Sequence, residues 1–339
     1  MDVVTHLALG ICTTEVLLRR APDKKMLLWG ALVQTLPDID TIPGIYLPAH
    51  EALLIHRGFT HSLIFALVCG FILALVARKV VKRLAIPFLS LFAFFGFQLT
   101  LHDLLDVCNS YGTGLLEPFS HQRFSINLLY VADPLFTIGL VIAALVLLIK
   151  PKTYLPRLKW ACVALIISAG YVGYAGFNKN LVDNRINNFL KTDRISSSGY
   201  FTTPAPFNCM LWYIVIATDS SYYTGYSSVW DDADKPIMYE RYLANYALLQ
   251  RVSGKHSVQD LRVFAGHYYT ISGSDSALYI NILRFGQVQG WRVPDAPFVL
   301  SYPLLSGKNQ VLLLQKGRMA GWNSSSIEAY LRRIGGDQP

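Results

Sequence analysis

The stretch His56-Arg57-Gly58-Phe59-Thr60-His61-Ser62 leads directly into Leu63-Ile64-Phe65-Ala66-Leu67-Val68 and an apolar run that continues to Ala77. Two histidines five residues apart, with a glycine turn between them, stand at the start of an uncharged segment of roughly sixteen residues. The stretch reads as metal ligands at the mouth of a membrane helix, and that reading sets the fold of the amino-terminal half.

Other polar clusters share this half of the chain. Six of the eight histidines lie in the first 121 residues. Thr5-His6 stands near the amino terminus, and Leu36-Pro37-Asp38-Ile39-Asp40 closes the second apolar segment. His102 and Asp106, four apart, share one helix face. Imidazole and carboxylate together suit zinc, and also manganese or iron. Ionisable groups inside membrane segments are costly and usually mark a site.

Composition agrees with a membrane protein. The 339 residues are 53% hydrophobic and only 15% charged, with a mean hydropathy of +0.35, above what a soluble domain of this length carries. The net charge of +8 does not point to nucleic acid, because Lys and Arg fall in short clusters between apolar runs, where topology accounts for them. Five scattered cysteines, Cys12, Cys69, Cys108, Cys162 and Cys209, form neither a disulfide framework nor a zinc motif. No cleavable signal peptide is expected, since the first apolar stretch contains His6 and Glu15 with no basic region ahead of it.

In chain order, Asp2 caps a helix over Val3 to Leu18, and a shorter helix from Met26 stops before Pro37. Four stronger segments follow: Ser62 to Ala77, Leu84 to Leu101, Pro134 to Ile149 and Trp160 to Phe177. Basic residues occupy alternate connections, first Arg19, Arg20, Lys24 and Lys25, then Arg78, Lys79, Lys82 and Arg83, then Lys150, Lys152, Arg157 and Lys159. The positive-inside rule puts these connections in the cytoplasm and every candidate ligand at an outer helix end. The long polar stretch from Cys108 to Asp133 is expected to fold over the site. Asp133-Pro134 reads as an N-cap followed by Pro at the first helical position.

After Phe177 the composition becomes that of a soluble domain. A polar helix over Asn178 to Arg194 and a Ser/Pro/Thr linker over Ser196 to Pro206 are expected. Strands are expected at Met210 to Ala217, Tyr222 to Trp230, His267 to Ser272, Leu278 to Phe285 and Val311 to Gln315. Helices are expected at Met238 to Gln250 and Ser257 to Ala265, with a last one announced by a capping box of Ser325 and Glu328. The fold class is therefore a multi-pass α-helical membrane domain of about six helical segments followed by a soluble α+β domain. The divisions are 1–178 for the membrane domain, 179–206 for a linker and 207–339 for the soluble domain.

At these residues the chain resembles the predicted membrane-bound metal-dependent hydrolases of bacterial inner membranes. The resemblance rests on Thr5-His6 with Leu9-Gly10, on Leu36 to Asp40, on His56 to Ser62, and on the segment from His102 through Asp106, Tyr111-Gly112 and Pro118-Phe119-Ser120 to Asp133-Pro134. It continues through Phe207 to Trp212 and Leu283 to Gly286, so it covers nearly the whole chain. More distantly, His102 and Asp106 are similar to the helical HxxxD pair of zinc-dependent phospholipase C and single-strand nucleases. That likeness implies Asp106 as a bridge, His6 on one metal, and His56 or His61, His102 and Asp38 or Asp40 on another. A convincing third-metal cluster is not found, so one or two ions are expected.

The candidate metal ligands are thus His6, Asp38, Asp40, His56, His61, His102 and Asp106, with Asp106, Asp40 and Arg57 as candidate catalytic groups. Of Asp38 and Asp40, one ligand and one partner behind an imidazole is the expected division. Arg57 reads equally as an interfacial anchor or as a contact for an anionic substrate. Zinc is the expected metal and manganese the alternative; it would lower the pKa of bound water and stabilise charge on an attacked oxygen. The function expected is a hydrolase of the bacterial cytoplasmic membrane, acting at its outer face on a phosphate ester or lipid head group. Its partners are membrane lipids, with no nucleic acid and no oligomeric state indicated. The other reading is a non-catalytic metal-binding sensor or scaffold that uses its soluble domain for interactions. The two differ in whether the metal keeps an open coordination position.

Overall fold

The computed structural model describes residues 1–18, 23–80, 86–192, 195–232, 235–252, 256–273, 277–304, 314–315 and 321–338. Arg19, Arg20, Lys82 and Arg83 lie outside them, as does most of the strand expected at Val311 to Gln315. The chain divides into two compact units, Met1–Ile45 with Ile55–Tyr174, and Tyr46–Leu54 with Ala175–Pro339.

The first unit is helical. α1, Val3–Leu17, starts at Asp2, whose carboxylate accepts from the Thr5 amide at 3.0 Å. α2, Lys24–Gln34, starts the same way at Asp23, which accepts from Met26 N at 2.9 Å. These carboxylates satisfy amides that lack a partner in the first helical turn. Pro37 then enters a 3-10 turn, Leu36–Asp40, that turns the chain out of the α2 direction. A short helix follows, α3 at Thr41–Gly44; the next, α4 at Ala49–Ile55, falls almost wholly in the segment assigned to the second unit. A second 3-10 turn, Phe59–His61, leads into α5, Leu63–Val80, whose first turn is capped where Ser62 Oγ accepts from Phe65 N at 3.1 Å. α6 is Phe88–Val107, α7 is Pro134–Ile149 and α8 is Arg157–Thr192. Asp133 caps α7 as the Asp-Pro pair predicts, and its other oxygen accepts from the Tyr171 hydroxyl at 2.8 Å.

Three of these helices, α5, α6 and α8, are long and apolar enough to cross a membrane. The six segments expected from sequence are all helices, but six crossings are not supported. α1 and α7 have 15 and 16 residues and α2 only 11. At 1.5 Å per residue they reach about 16 to 24 Å, short of a hydrocarbon core of about 30 Å.

The bundle closes where side chains are absent. A Cβ on Gly30 would stand 1.8 Å from Thr14 Oγ1, and one on Gly10 would stand 2.6 Å from the Gly30 carbonyl, so α1 and α2 touch through backbone. Gln98 of α6 reaches across, accepting from Thr13 Oγ1 at 2.9 Å and donating to Thr14 Oγ1 at 3.1 Å. Arg157, expected as a loop charge, is instead buried. It holds Glu15 through a two-pronged ion pair at 2.7 and 3.1 Å and donates to the carbonyls of Leu147 and Lys150. A buried carboxylate in α1 needs such a counter-ion, which draws Arg157 in.

The second unit contains two antiparallel sheets. β1 Gly199–Pro204, β2 Leu211–Ala217, β3 Ser221–Ser228 and β4 Tyr239–Leu243 form one in chain order. β5 Tyr269–Gly273, β6 Leu278–Gln287, β7 Phe298–Pro303 and β8 Leu314–Gln315 form the other. α9, His256–Ala265, and α10, Ser324–Ile334, complete it.

Three expectations change here. The stretch 179–206 is not a linker: the polar half of α8 continues to Thr192, and β1 pairs with β2 from Gly199 to Pro204. Met238 to Gln250 is β4 followed by a 3-10 turn, because pairing with β3, Tyr223 opposite Arg241, overrides a local preference for helix. The last helix is capped by Asn323 with Ser326 rather than by Ser325 with Glu328, since Asn323 carries the extended backbone that a cap requires.

Candidate metal centre

Helix direction brings the polar clusters together. α1 begins near His6, α2 ends at the Asp38 turn, α5 begins just after His61, and α6 ends just after Asp106. One ligating atom from each of Asp38, His61, His102 and Asp106 lies within 4.8 Å of the others. His61 Nε2 is 3.1 Å from His102 Nε2, 3.4 Å from Asp38 Oδ1 and 3.6 Å from Asp106 Oδ2. His102 Nε2 is 3.8 Å from each of those two oxygens.

The far side of each ring decides what faces the centre. His102 Nδ1 lies 2.6 Å from the Gln34 carbonyl, an acceptor only, so Nδ1 carries the hydrogen and Nε2 offers its lone pair. His61 Nδ1 faces Asp40 Oδ2 at 3.2 Å, with the same result. Two nitrogen lone pairs 3.1 Å apart repel unless a cation or a proton lies between them. Two nitrogens bound to a tetrahedral zinc ion are roughly 3.3 Å apart, so the separations seen here suit a divalent ion. In the metal-free protein a proton on His61 fills that role. Burial opposes it, but hydrogen bonds to Asp38 and Asp40 and the charge of Asp106 outweigh burial and raise His61 to about 9. Burial likewise opposes ionisation of Asp38, yet the His61 hydrogen bond and His102 hold it down at about 2.

Asp40 stands behind the centre as the organiser of the His56 to His61 loop. Its oxygens accept from His56 Nδ1 at 2.9 Å, Arg57 N at 2.9 Å and Thr60 Oγ1 at 2.8 Å, besides facing His61. The hydrogen bonds and charges of His56 and His61 outweigh burial and lower its pKa. The bond from Arg57 N accompanies a backbone φ of 63° at Arg57, a conformation that L residues seldom adopt.

The sequence-derived ligands therefore separate. Asp38, His61, His102 and Asp106 come together, and Asp40 sits behind His61. His56 is not in the group: it is 29% exposed and directed at Asp40. His6 lies on the other side of Asp106, its Nε2 3.4 Å from Oδ1, its ring stacked on His102 at 3.9 Å and its Nδ1 buried without a hydrogen-bond partner. The Met1 amino group hydrogen-bonds the same Oδ1.

Arg57 is neither at an interface nor open to a substrate. Its Nε is 2.9 Å from Asp106 Oδ2, close enough for an ion pair but off the line of a hydrogen bond, while Nη1 donates to Asn109 Oδ1 at 2.6 Å. Its guanidinium lies 5.0 Å above the Tyr111 ring. Asn109 and the Gln34 carbonyl are the contributors that the sequence reading missed. Asn109 follows Asp106 by three residues, about one helical turn, which is a usable signal; a main-chain carbonyl leaves none. Asp103 is buried with neither oxygen hydrogen-bonded. The Cys108 to Asp133 stretch packs on the motif as expected, through Gly114 N to the Arg57 carbonyl at 2.9 Å and Arg123 to the His56 carbonyl at 3.0 Å. His121 is exposed and paired with Glu117.

The YdjM inner membrane protein family matches residues 1–182, more than half of the chain and all of the helices that build the centre. The chain belongs to this family. Inner membrane protein YbcI of Escherichia coli K12 is 31% identical over 124 residues, 36% of this chain and 70% of YbcI. YfhP, an uncharacterized protein of Bacillus subtilis 168, is 28% identical over 151 residues, 41% of this chain and 44% of YfhP. No solved structure matches. Membership in the YdjM family makes the chain an inner membrane protein; neither relative's name states an activity, so the chemistry must come from the centre itself.

Proposed function

We propose that the helical unit of this YdjM-family protein is a metal-dependent hydrolase that acts on a phosphate ester or lipid head group at the outer face of the inner membrane. One observation carries the reading: four ligating atoms from three separate elements converge on one point, with the two imidazoles already turned by Gln34 and Asp40 to present lone pairs. Asp38, His61, His102 and Asp106 would hold the ion, with zinc first and manganese second for this mixed set. Such an ion supplies Lewis acidity toward a phosphoryl oxygen and lowers the pKa of water. Arg57 offsets the charge of Asp106, Asp40 keeps His61 oriented, and the surrounding helices keep His102 and Asp106 dry. Asp106 turns Oδ2 toward His61 and Oδ1 toward His6 and the Met1 amino group, so a second ion on the His6 side would have to displace that amino group.

A lipid substrate is favoured by what lies beside the ligands. Ile39 and Ile42 beside Asp38, and Phe59 beside His61, are exposed, as are Leu116 and Phe119 of the stretch that packs on the motif, Phe119 to 83%. Large apolar side chains left exposed beside a polar site favour an apolar substrate or a membrane as what they meet. The outward orientation rests on Lys24, Lys25, Arg78, Lys79, Lys150 and Lys152, all at the helix ends away from the ligands. The soluble unit would face the same side. The test is hydrolysis with added zinc or manganese in detergent, read as phosphorylated head group released from phospholipid diesters and as inorganic phosphate released from lipid phosphomonoesters. Activity lost in His102→Ala and Asp106→Ala variants that still fold supports the reading, and full activity in both overturns it.

A non-catalytic metal module has one observation in its favour, namely that four protein donors suffice to close a tetrahedral site. Asp38 distinguishes the two. It is the most accessible ligand, 18% exposed against 0% for the other three, and so the one on the side where substrate would arrive.

A further inference from the structure

At the end of the helical unit away from the metal centre, the start of α2, the end of α7 and the connection into α8 enclose an open basin of about 300 Å³. Asp23, Lys24, Lys25, Lys150, Lys152 and Arg157 line it. Two of these side chains are committed elsewhere. Asp23 caps α2 by accepting from Met26 N, and Arg157 spends its guanidinium on Glu15 and two carbonyls. Lys24 Nζ donates to the Ile149 carbonyl at 3.5 Å, which ties the first turn of α2 to the last of α7. Lys25, Lys150 and Lys152 complete the rim, and no carboxylate among the described residues pairs with any of the four lysines. Four ammonium groups from different elements thus share one concavity with a single carboxylate, the capping Asp23, which leaves the basin strongly positive. Side chains that only set topology need no shared cavity and repel one another when gathered in one.

We propose that this basin binds the phosphate of an anionic membrane lipid head group. A lysine ammonium is a point-charge donor to phosphate oxygen, and basic pockets between membrane helices are suited to such head groups. The basin lies at the helix ends where α5 carries Arg78 and Lys79 and α8 carries Arg157 and Lys159, so a lipid of that leaflet reaches it without leaving the bilayer. Because it sits at the opposite helix ends from Asp38, His61, His102 and Asp106, it is a bound-lipid site rather than part of the metal centre. α1, α2 and α7 are too short to span alone, and a lipid held there joins the ends of two of them.

The test is a binding titration of the full-length protein in mild detergent with short-chain phosphatidylglycerol, phosphatidylcholine and sodium phosphate. Saturable binding of phosphatidylglycerol in preference to phosphatidylcholine is expected, weakened about tenfold in the pair Lys24→Gln and Lys152→Gln. The pair Lys79→Gln and Lys159→Gln removes the same charge from the same helix ends outside the basin and is expected to leave binding unchanged. Lys152→Gln alone, in an exposed connection, is expected to weaken binding as well, so a folding failure of the double variant still leaves a result. Equal loss in both pairs, or no preference for phosphatidylglycerol, would overturn the proposal. Complete displacement by millimolar phosphate would overturn its lipid part, leaving a site for the free anion.

Discussion

At the scale of single residues, Asp40 has the widest reach in the centre without being one of its four converging donors. It accepts from His56, Arg57, Thr60 and His61, so its removal should disturb the ligand set indirectly. Asp40→Asn is expected to weaken zinc affinity by about 10- to 100-fold while leaving the bound stoichiometry unchanged, as measured by competition with a chelator. His61 adds a pH dependence of definite sign. Its folded pKa, raised to about 9 from 6.5, means that its contribution to metal-free stability is complete below about 6.5 and is lost as the pH rises through 9. Metal binding has the opposite dependence, because the ion must displace that proton. At pH 7 about one proton should leave per ion bound, which calorimetry in buffers of differing ionisation enthalpy measures. Release of none would contradict a protonated His61 that becomes a ligand.

At the scale of elements, the ligands depend on contacts remote from them. Gly30 lets α2 rest against α1, and the far end of α2 supplies the Gln34 carbonyl that fixes His102. Gly30→Ala places a methyl against Thr14 and is expected to cost about 1 to 3 kcal/mol, with a parallel loss of metal affinity, read by thermal unfolding with and without zinc. In the second unit, Arg333 pairs with Asp231 at 2.6 and 3.0 Å and ties α10 to the first sheet. Arg333→Ala should destabilise that unit by about 3 to 5 kcal/mol, because it leaves Asp231 buried and unpaired. Much of this arrangement was legible in the sequence. Asp2, Pro37 and Asp133-Pro134 punctuate the helices where the structure has them, and the spacing of His102 and Asp106 puts both on one face. Strands β1, β4 and β7 were not legible, since they are short, carry mixed burial and form through pairing with partners distant from their own local preference. The separation of His56 from His61 was hidden for another reason: both stand in one motif, and only the backbone turn at Arg57 directs one inward and the other toward Asp40.

At the scale of the whole molecule, alternating helix directions gather carboxylates and imidazoles at one set of helix ends and lysines at the other. The outward orientation implies that single cysteines at Ala49 and Ser324 react with a membrane-impermeant maleimide in intact cells; protection of both would reverse it. The family places the chain in the inner membrane, and the proposed metal centre would give its helical unit a chemical purpose. The most direct measurement is therefore the metal content of detergent-purified protein by elemental analysis, for wild type beside His61→Ala and Asp106→Ala. About one or two zinc or manganese ions per chain, lost in both variants while the helical content is retained, is the result expected. Absence of bound metal from the wild type, even after incubation with zinc and manganese, would contradict the metal centre itself.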